Sequence, residues 1–204
     1  MKALATNRRQ WDVLLIGGAS GSGKTSVSYR LAQHFGVGIT EIDDFQVILK
    51  RLTTPEQFPA LHYWDTHPDA YLMPPEEMIK IGIAICHEML PALEAVIDNH
   101  IESNVPIVLE GDFLLPALSA KLVATDPAKY AHVQIMFIYE PSEAQILSNY
   151  ACREPESPPQ TYRARVSWLY GELIKQQAEQ YGLSVVPSRP WDTLFDRLLA
   201  LLTV

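Results

Sequence analysis

Gly18-Ala19-Ser20-Gly21-Ser22-Gly23-Lys24-Thr25 satisfies G-x-x-x-x-G-K-[ST] at every fixed position. The residue types suit an anion. Glycines let the backbone turn its N–H groups inward around a phosphate, and a helix starting at the lysine adds its positive end. Lys24 can reach the β- and γ-phosphates of ATP, the Thr25 hydroxyl can ligate Mg²⁺, and Ser26 closes the phosphate-binding set. The competing reading is a Gly/Ser-rich structural turn. The loop falls between an apolar run and an amphipathic stretch, the context that favours nucleotide. The motif is silent about a second substrate and about ATP against GTP.

Acids come next. Asp43 and Asp44 follow a short apolar stretch, where a carboxylate can orient a substrate hydroxyl, accept its proton or hold Mg²⁺ through water. Asp44 also suits the N-cap of a helix from Phe45 to Leu52. Glu110 ends the apolar run from Val105 to Leu109 and can serve metal or acceptor. Which of Asp43, Asp44 and Glu110 is the base stays open. Arg153, Arg163 and Arg165 flank a Pro-rich loop, and a closing loop can carry cations over a transferring phosphoryl group. Ordinary solvated arginines are the alternative. Tyr63, Trp64 and Asp65 combine stacking surface with a carboxylate, as a ring or sugar would require; plain loop packing is equally compatible. Arg189 lies past the last apolar run, beside Pro190.

The elements that must position these groups are legible as alternating runs. Strands are predicted at Val13–Ile16, Ile39–Ile42, Val105–Leu109, Val133–Tyr139 and Leu183–Val186. Helices are predicted from Lys24 to Phe35 with Gly36 as stop, Glu76 to Ile101 with a kink or break at Pro91, after Ser142 as cap, from Tyr162 to Tyr181, and from Trp191 to Leu202. Thr53–Pro75 is Pro-rich and has no sustained period, so it reads as a functional or mobile insert. Alternating strands and helices imply an α/β parallel sheet covered on both faces, with ligands at the carboxyl ends of its strands. One domain over residues 1–204 is expected, with a substrate-binding insert at 53–75 and a lid at 153–162.

The chain has 204 residues, 48% of them hydrophobic, and a formal net charge of -8. Such an acidic chain repels nucleic acid and anionic lipid, so neither is an expected partner. Cys86 and Cys152 have no metal-like spacing and read as reduced thiols; the histidines suggest no zinc site. Met1–Gln10 lacks a signal-peptide core, and no apolar run reaches membrane-span length, so the chain reads as cytoplasmic.

Gly18–Thr25, Ile42-Asp43-Asp44-Phe45, Val108–Leu115, and Arg153–Pro158 followed by Val166–Tyr170 together resemble the nicotinamide riboside kinase and uridine kinase group. This resemblance implies the three-layer P-loop NTPase fold, with a five-stranded parallel sheet in the order of nucleoside monophosphate kinases. It implies Asp43 as base or hydroxyl-orienting group, Glu110 near metal and substrate, Arg153 in the lid, and Arg189 near adenine. Tyr63-Trp64-Asp65 falls where that group carries an aromatic–Asp pair. Asp112 interrupts the expected Glu-Gly-Phe turn, and the segment after Arg153 is short. Gly17–Gly21, Asp44–Arg51, Glu94–Ile97, Glu110-Gly111 and Leu115-Pro116 are similar to 2-phosphoglycerate kinase-like proteins. The expectation is an ATP- and Mg²⁺-dependent kinase acting as monomer or homodimer on a small-molecule hydroxyl. A nucleoside-like acceptor is favoured, with a small phosphorylated acid as the alternative. A nucleotide switch or ATPase without such an acceptor is the other reading.

Overall fold

The computed structural model describes residues 9–203, so the reading of Met1–Gln10 falls mostly outside the described residues. Five parallel strands form one sheet: β1 (Val13–Gly17), β2 (Gly38–Glu41), β3 (Ile107–Gly111), β4 (Val133–Tyr139) and β5 (Ser184–Pro187). Their order is β2-β3-β1-β4-β5. β1, β3 and most of β4 are buried on both faces, which explains their unbroken apolar runs.

Alternation divides the core into two layers. Val13, Leu15, Ile107, Leu109, Ile135 and Phe137 pack against α4 (Pro75–Ser103), α5 (Pro116–Thr125) and α7 (Thr161–Gln180). Leu14, Ile16, Val108, Met136 and Ile138 face α1 (Lys24–Phe35) and α8 (Trp191–Leu202). Glu110 shares the parity of Val108, so it points to the side of α1.

Several expectations are corrected. α2 runs from Ile42 to Leu52, so Asp43 and Asp44 lie in its first turn and Glu41 takes the cap position. Asp44 is therefore not the cap; both acids instead complement the positive end of the helix. Strand β3 extends to Gly111, which puts Glu110 inside the ladder rather than past it. α4 continues through Pro91, because the apolar face of Ile85, Met89, Leu93 and Ile97 is buried on both sides of it. α5 carries no sequence expectation. The remaining helix, α6, spans Glu143–Arg153, and Ser142 caps it by accepting from the Gln145 N–H at 3.2 Å.

The irregular insert is held by side chains in place of a ladder. The Glu88 carboxylate of α4 accepts from the N–H groups of Ala60 (3.2 Å) and Leu61 (2.6 Å), and the Leu61 side chain is fully buried. The insert contains a short helix, α3 (Tyr63–Thr66), and a 3₁₀ turn at Ala70–Leu72. The Tyr162 hydroxyl donates to the Met73 carbonyl at 2.6 Å, tying α7 to its end.

Candidate active site: two clefts linked by the Lys24–Asp112 pair

The phosphate loop leaves β1 with three glycines at positive φ: Gly18 (150°), Gly21 (78°) and Gly23 (90°). A Cβ on Gly18 would lie 2.4 Å from the Ile138 carbonyl oxygen, and one on Gly23 would meet the Trp191 ring at 2.4 Å. The loop must therefore be glycine at both positions to lie this close to β4 and α8. Ala19 is buried beneath it, and Ser22 Oγ is buried with no hydrogen-bond partner among the described residues.

Lys24 opens α1 and is buried. Its ammonium group donates to the Asp112 carboxylate. Burial alone would lower its pKa, but Asp112, Glu110 and Asp43 together hold it above the ordinary lysine value. Glu110 is 2% exposed, and burial pushes its carboxyl up to about 7 against the pull of Lys24 and of the Thr25 hydroxyl that bonds to it. Its Oε2 is buried and has no hydrogen-bond partner among the described residues. Asp43 is accessible on its outer side, but its carboxyl is pushed up by partial burial and then by Asp112. A single lysine thus stands among several carboxylates, an arrangement that calls for a further cation. Thr25 and the unsatisfied oxygen of Glu110 fit Mg²⁺, a hard cation with a preference for oxygen.

A cleft of about 730 Å³ runs beside this group, lined by Gly21, Gly23–Ser26, Asn149, Arg153, Arg189 and Trp191 among others. Of its supports, the sequence singled out Arg189 but not Glu140 or Asn149. Glu140 is buried at the end of β4 and accepts from Ser188 Oγ (2.6 Å) and Arg189 Nε (3.1 Å). Asn149 donates to the Gly21 carbonyl at 2.8 Å and meets Arg189 at 3.4 Å. The loop after β5, helix α6 and the phosphate loop are thereby locked together.

A second cleft, of about 330 Å³, has Asp112, the ion-pair partner of Lys24, in its wall. Its walls are Ser20, Trp64, α4 from Met78 to Ile85, Asp112, Phe113, and α7 from Arg163 to Tyr170. It is mainly apolar and aromatic, with Arg163 as its cation and Asp112 as its acid.

Some of the named candidates reach one of the two clefts and others reach neither. Ser20 and Trp64 reach the second. Tyr63 instead stacks on His67 (centroids 4.0 Å apart), and Asp65 pairs with Lys50 at 2.7 Å. Arg153 borders the first cleft and Arg163 the second; both also pair with Glu154 of the loop between α6 and α7 and lie over the Tyr150 ring. Gln160, Arg153 and Arg163 hold the Glu154 carboxyl down to about 2. Arg165 joins neither cleft: it pairs with Glu143 at 2.9 Å and stacks on Trp168. No helix among the described residues is long and apolar enough to cross a membrane.

A family model described as "Isopentenyl transferase" matches residues 11–140. The chain is similar to the 2-phosphoglycerate kinase of Methanothermobacter thermautotrophicus, 23% identical over 94% of this chain and 65% of that protein. It is also similar to that of Methanopyrus kandleri, 21% identical over 95% of this chain and 61% of the relative. The chain thus spans less than two thirds of these relatives' own length. Among solved structures, a shikimate kinase from Acinetobacter baumannii superposes with a TM-score of 0.55 at 12% identity (95% of this chain, 93% of that one). A gluconokinase from Sinorhizobium meliloti superposes with a TM-score of 0.54 at 18% identity (96% and 93%). The fold is that of the P-loop kinases.

Proposed function

The chain belongs to the isopentenyl transferase family, and we propose that it uses its phosphate loop for ATP-dependent, Mg²⁺-assisted phosphoryl transfer to a hydroxyl of a small molecule. The observation that carries this reading is that the Lys24–Asp112 ion pair links two clefts: Lys24 lines the one formed by the phosphate loop, and Asp112 lines the apolar one. A kinase needs donor and acceptor on opposite sides of one cation.

The roles follow from position. The amides of Gly18–Thr25 and the Lys24 ammonium bind the ATP phosphates, and Thr25 with Glu110 holds Mg²⁺, which neutralises phosphate charge. Asp43 stays in the cluster around Lys24 as an orienting carboxylate. Trp191, Arg189 and Arg153 border the nucleotide, and Arg163 faces the acceptor.

Two acceptor classes have support of different kinds. The relatives named 2-phosphoglycerate kinase support a small phosphorylated acid, with Arg163 as its counter-ion. The walls contributed by Trp64, Phe113 and Tyr170 support an acceptor with a ring, such as a nucleoside of the nicotinamide riboside or uridine type. Isopentenyl transfer is a further reading, supported by the family match and by the apolar second cleft. The match ends before α6 and α7, which carry Arg153 and Arg163, whereas the similarity to the kinases covers 94% of the chain.

The test is ATP consumption with Mg²⁺ over a panel of 2-phosphoglycerate, nicotinamide riboside, uridine, cytidine, shikimate and gluconate. Lys24→Ala serves as the blank, and a parallel assay offers dimethylallyl diphosphate with adenine nucleotides. One acceptor raising turnover well above the blank establishes the kinase and its branch. Prenylated product without ATP consumption overturns it.

A further inference from the structure

The turn after β3 was expected to run Glu-Gly-Phe, and Asp112 stands inside it as an additional residue. Its placement gives it two faces. One faces the phosphate loop, where its carboxylate accepts from Lys24. The other faces the second cleft, where among the described lining residues Asp112 is the one acid; Asp43 is not part of that lining. The backbone of Asp112 is fixed, because its carbonyl accepts from the buried Tyr170 hydroxyl at 2.8 Å. Its side chain is held by Lys24 alone among the hydrogen bonds described, and it is about a quarter exposed.

Nucleotide changes this balance. The β- and γ-phosphates carry more charge than one carboxylate, and they compete for the same ammonium group. Once Lys24 turns to them, the Asp112 carboxylate loses its partner, and the γ-phosphate repels it. The open direction is the second cleft, whose wall Asp112 forms part of.

We propose that Asp112 is a displaceable counter-ion, which neutralises Lys24 before nucleotide binds and is then released to accept the acceptor's hydroxyl proton. The second half rests on the phosphoryl-transfer reading above. The acceptor O–H proton passes to the Asp112 carboxylate as the acceptor oxygen bonds to the γ-phosphorus. The bond from that phosphorus to the β,γ-bridging oxygen breaks, and ADP leaves with its electron pair. Asp112 then gives the proton to solvent. One residue thus makes acceptor activation conditional on bound nucleotide.

The experiment uses Asp112→Asn and Asp112→Glu in the full chain, with Mg²⁺ and the β,γ-imido analogue of ATP as the probe. Asp112→Asn removes the competitor, so the analogue should bind roughly fivefold more tightly, the scale of a partly exposed ion pair. Asp112→Glu keeps the charge and should leave affinity within about twofold of wild type. With the acceptor found in the panel, Asp112→Asn should lose roughly 100-fold or more in kcat, as removal of a general base does. Unchanged or weaker analogue binding by a folded Asp112→Asn overturns the proposal, because a purely structural aspartate has no reason to oppose nucleotide. Tighter binding with kcat retained overturns the proton-accepting half. Thermal melts verify folding, and Asp112→Ser is read in place of Asp112→Asn if the latter fails to fold. The analogue arm needs no acceptor. Tighter binding together with a silent panel therefore marks failure of the phosphoryl-transfer reading, whereas unmoved binding marks failure of this inference.

Discussion

Glu41 and Glu110 stand opposite one another in the register of β2 and β3, so two carboxylates share one stretch of the sheet edge beside Thr25. Glu41 is one of the charges that act on the buried Glu110 carboxyl. Burial, then the charges of Glu41 and Asp112, outweigh Lys24 and raise Glu110 to about 7.

The sign follows from linkage. Glu110 ionises near its ordinary value of 4.5 in the unfolded chain and near 7 in the folded one. Stability is therefore greatest below the lower value, falls as pH rises between the two, and levels off above the upper one. The full drop from this group is about 3 kcal/mol at most. Asp43, also raised, adds in the same direction. Glu110→Gln should flatten most of this slope and be more stable than wild type at pH 8, read by urea denaturation at pH 5 and pH 8. Mg²⁺ with nucleotide should release a proton near pH 6, detected as a buffer-dependent heat in calorimetry; Glu110→Gln should abolish that release.

Gly18→Ala should be among the most damaging small substitutions. The added methyl meets a carbonyl of the interior strand β4, which cannot move aside as a side chain can, and φ of 150° is poor for alanine. A loss of roughly 2–4 kcal/mol is expected. Nucleotide binding should be lost even where the protein stays folded, as a melt and a titration with the imido analogue would show. Gly36→Ala provides the contrast: its Cβ meets nothing within 4 Å, so only the φ of 64° penalises it, by about 1 kcal/mol.

Glu140→Ala should disconnect the phosphate-loop cleft from its frame. The buried carboxylate accepts from Ser188, Arg189 and the Ser142 N–H, and each would lose its partner. Roughly 2–4 kcal/mol of stability should go, with weaker nucleotide binding as Arg189 is freed. Ser188→Ala removes one bond and should cost about 1 kcal/mol, leaving affinity nearly intact. Melting temperature and analogue affinity, measured on both variants, check the contrast.

What could be read beforehand divides along physical lines. The strands were legible because a strand buried on both faces has to be apolar throughout, and Trp191–Leu202 because its apolar stripe and preceding proline set its bounds. Element ends were not. Glu110 looked like the residue past a strand because charge normally stops a buried run, yet here the ladder carries it inward to meet Thr25. The insert hid its structure because the groups that hold it, above all Glu88, lie on another element. That is also why Tyr63, Trp64 and Asp65, adjacent in sequence, have three different surroundings. α5 was missed because Pro116–Thr125 packs apolar residues around most of its circumference. Asp112 read as an interruption. The signal that could have found it is its position two residues after Glu110, at the carboxyl edge of a parallel sheet where ligands bind. Asn149 had no such signal, since its role depends on α6 reaching the Gly21 carbonyl.

The two arginines of the α6–α7 region should separate kinetically. Arg153 and Arg163 share Glu154 and the Tyr150 ring, but Arg153 lies on the phosphate-loop cleft and Arg163 on the apolar one. If both served only to fasten the loop, Arg153→Met and Arg163→Met would have the same effect. On the reading proposed above they differ. Arg153→Met should raise the KM for ATP by roughly tenfold, with the acceptor's KM little changed, and Arg163→Met should do the reverse; both changes sit on the scale of one charge-assisted hydrogen bond. Glu154→Gln leaves both cations in place but weakens the anchor they share. It should raise both KM values modestly while leaving kcat within about twofold, since Glu154 borders neither the phosphates nor the acid at the junction of the clefts. Initial rates over a grid of ATP and acceptor concentrations give all four constants. Equal shifts in the two arginine variants would assign these residues to the loop rather than to the ligands.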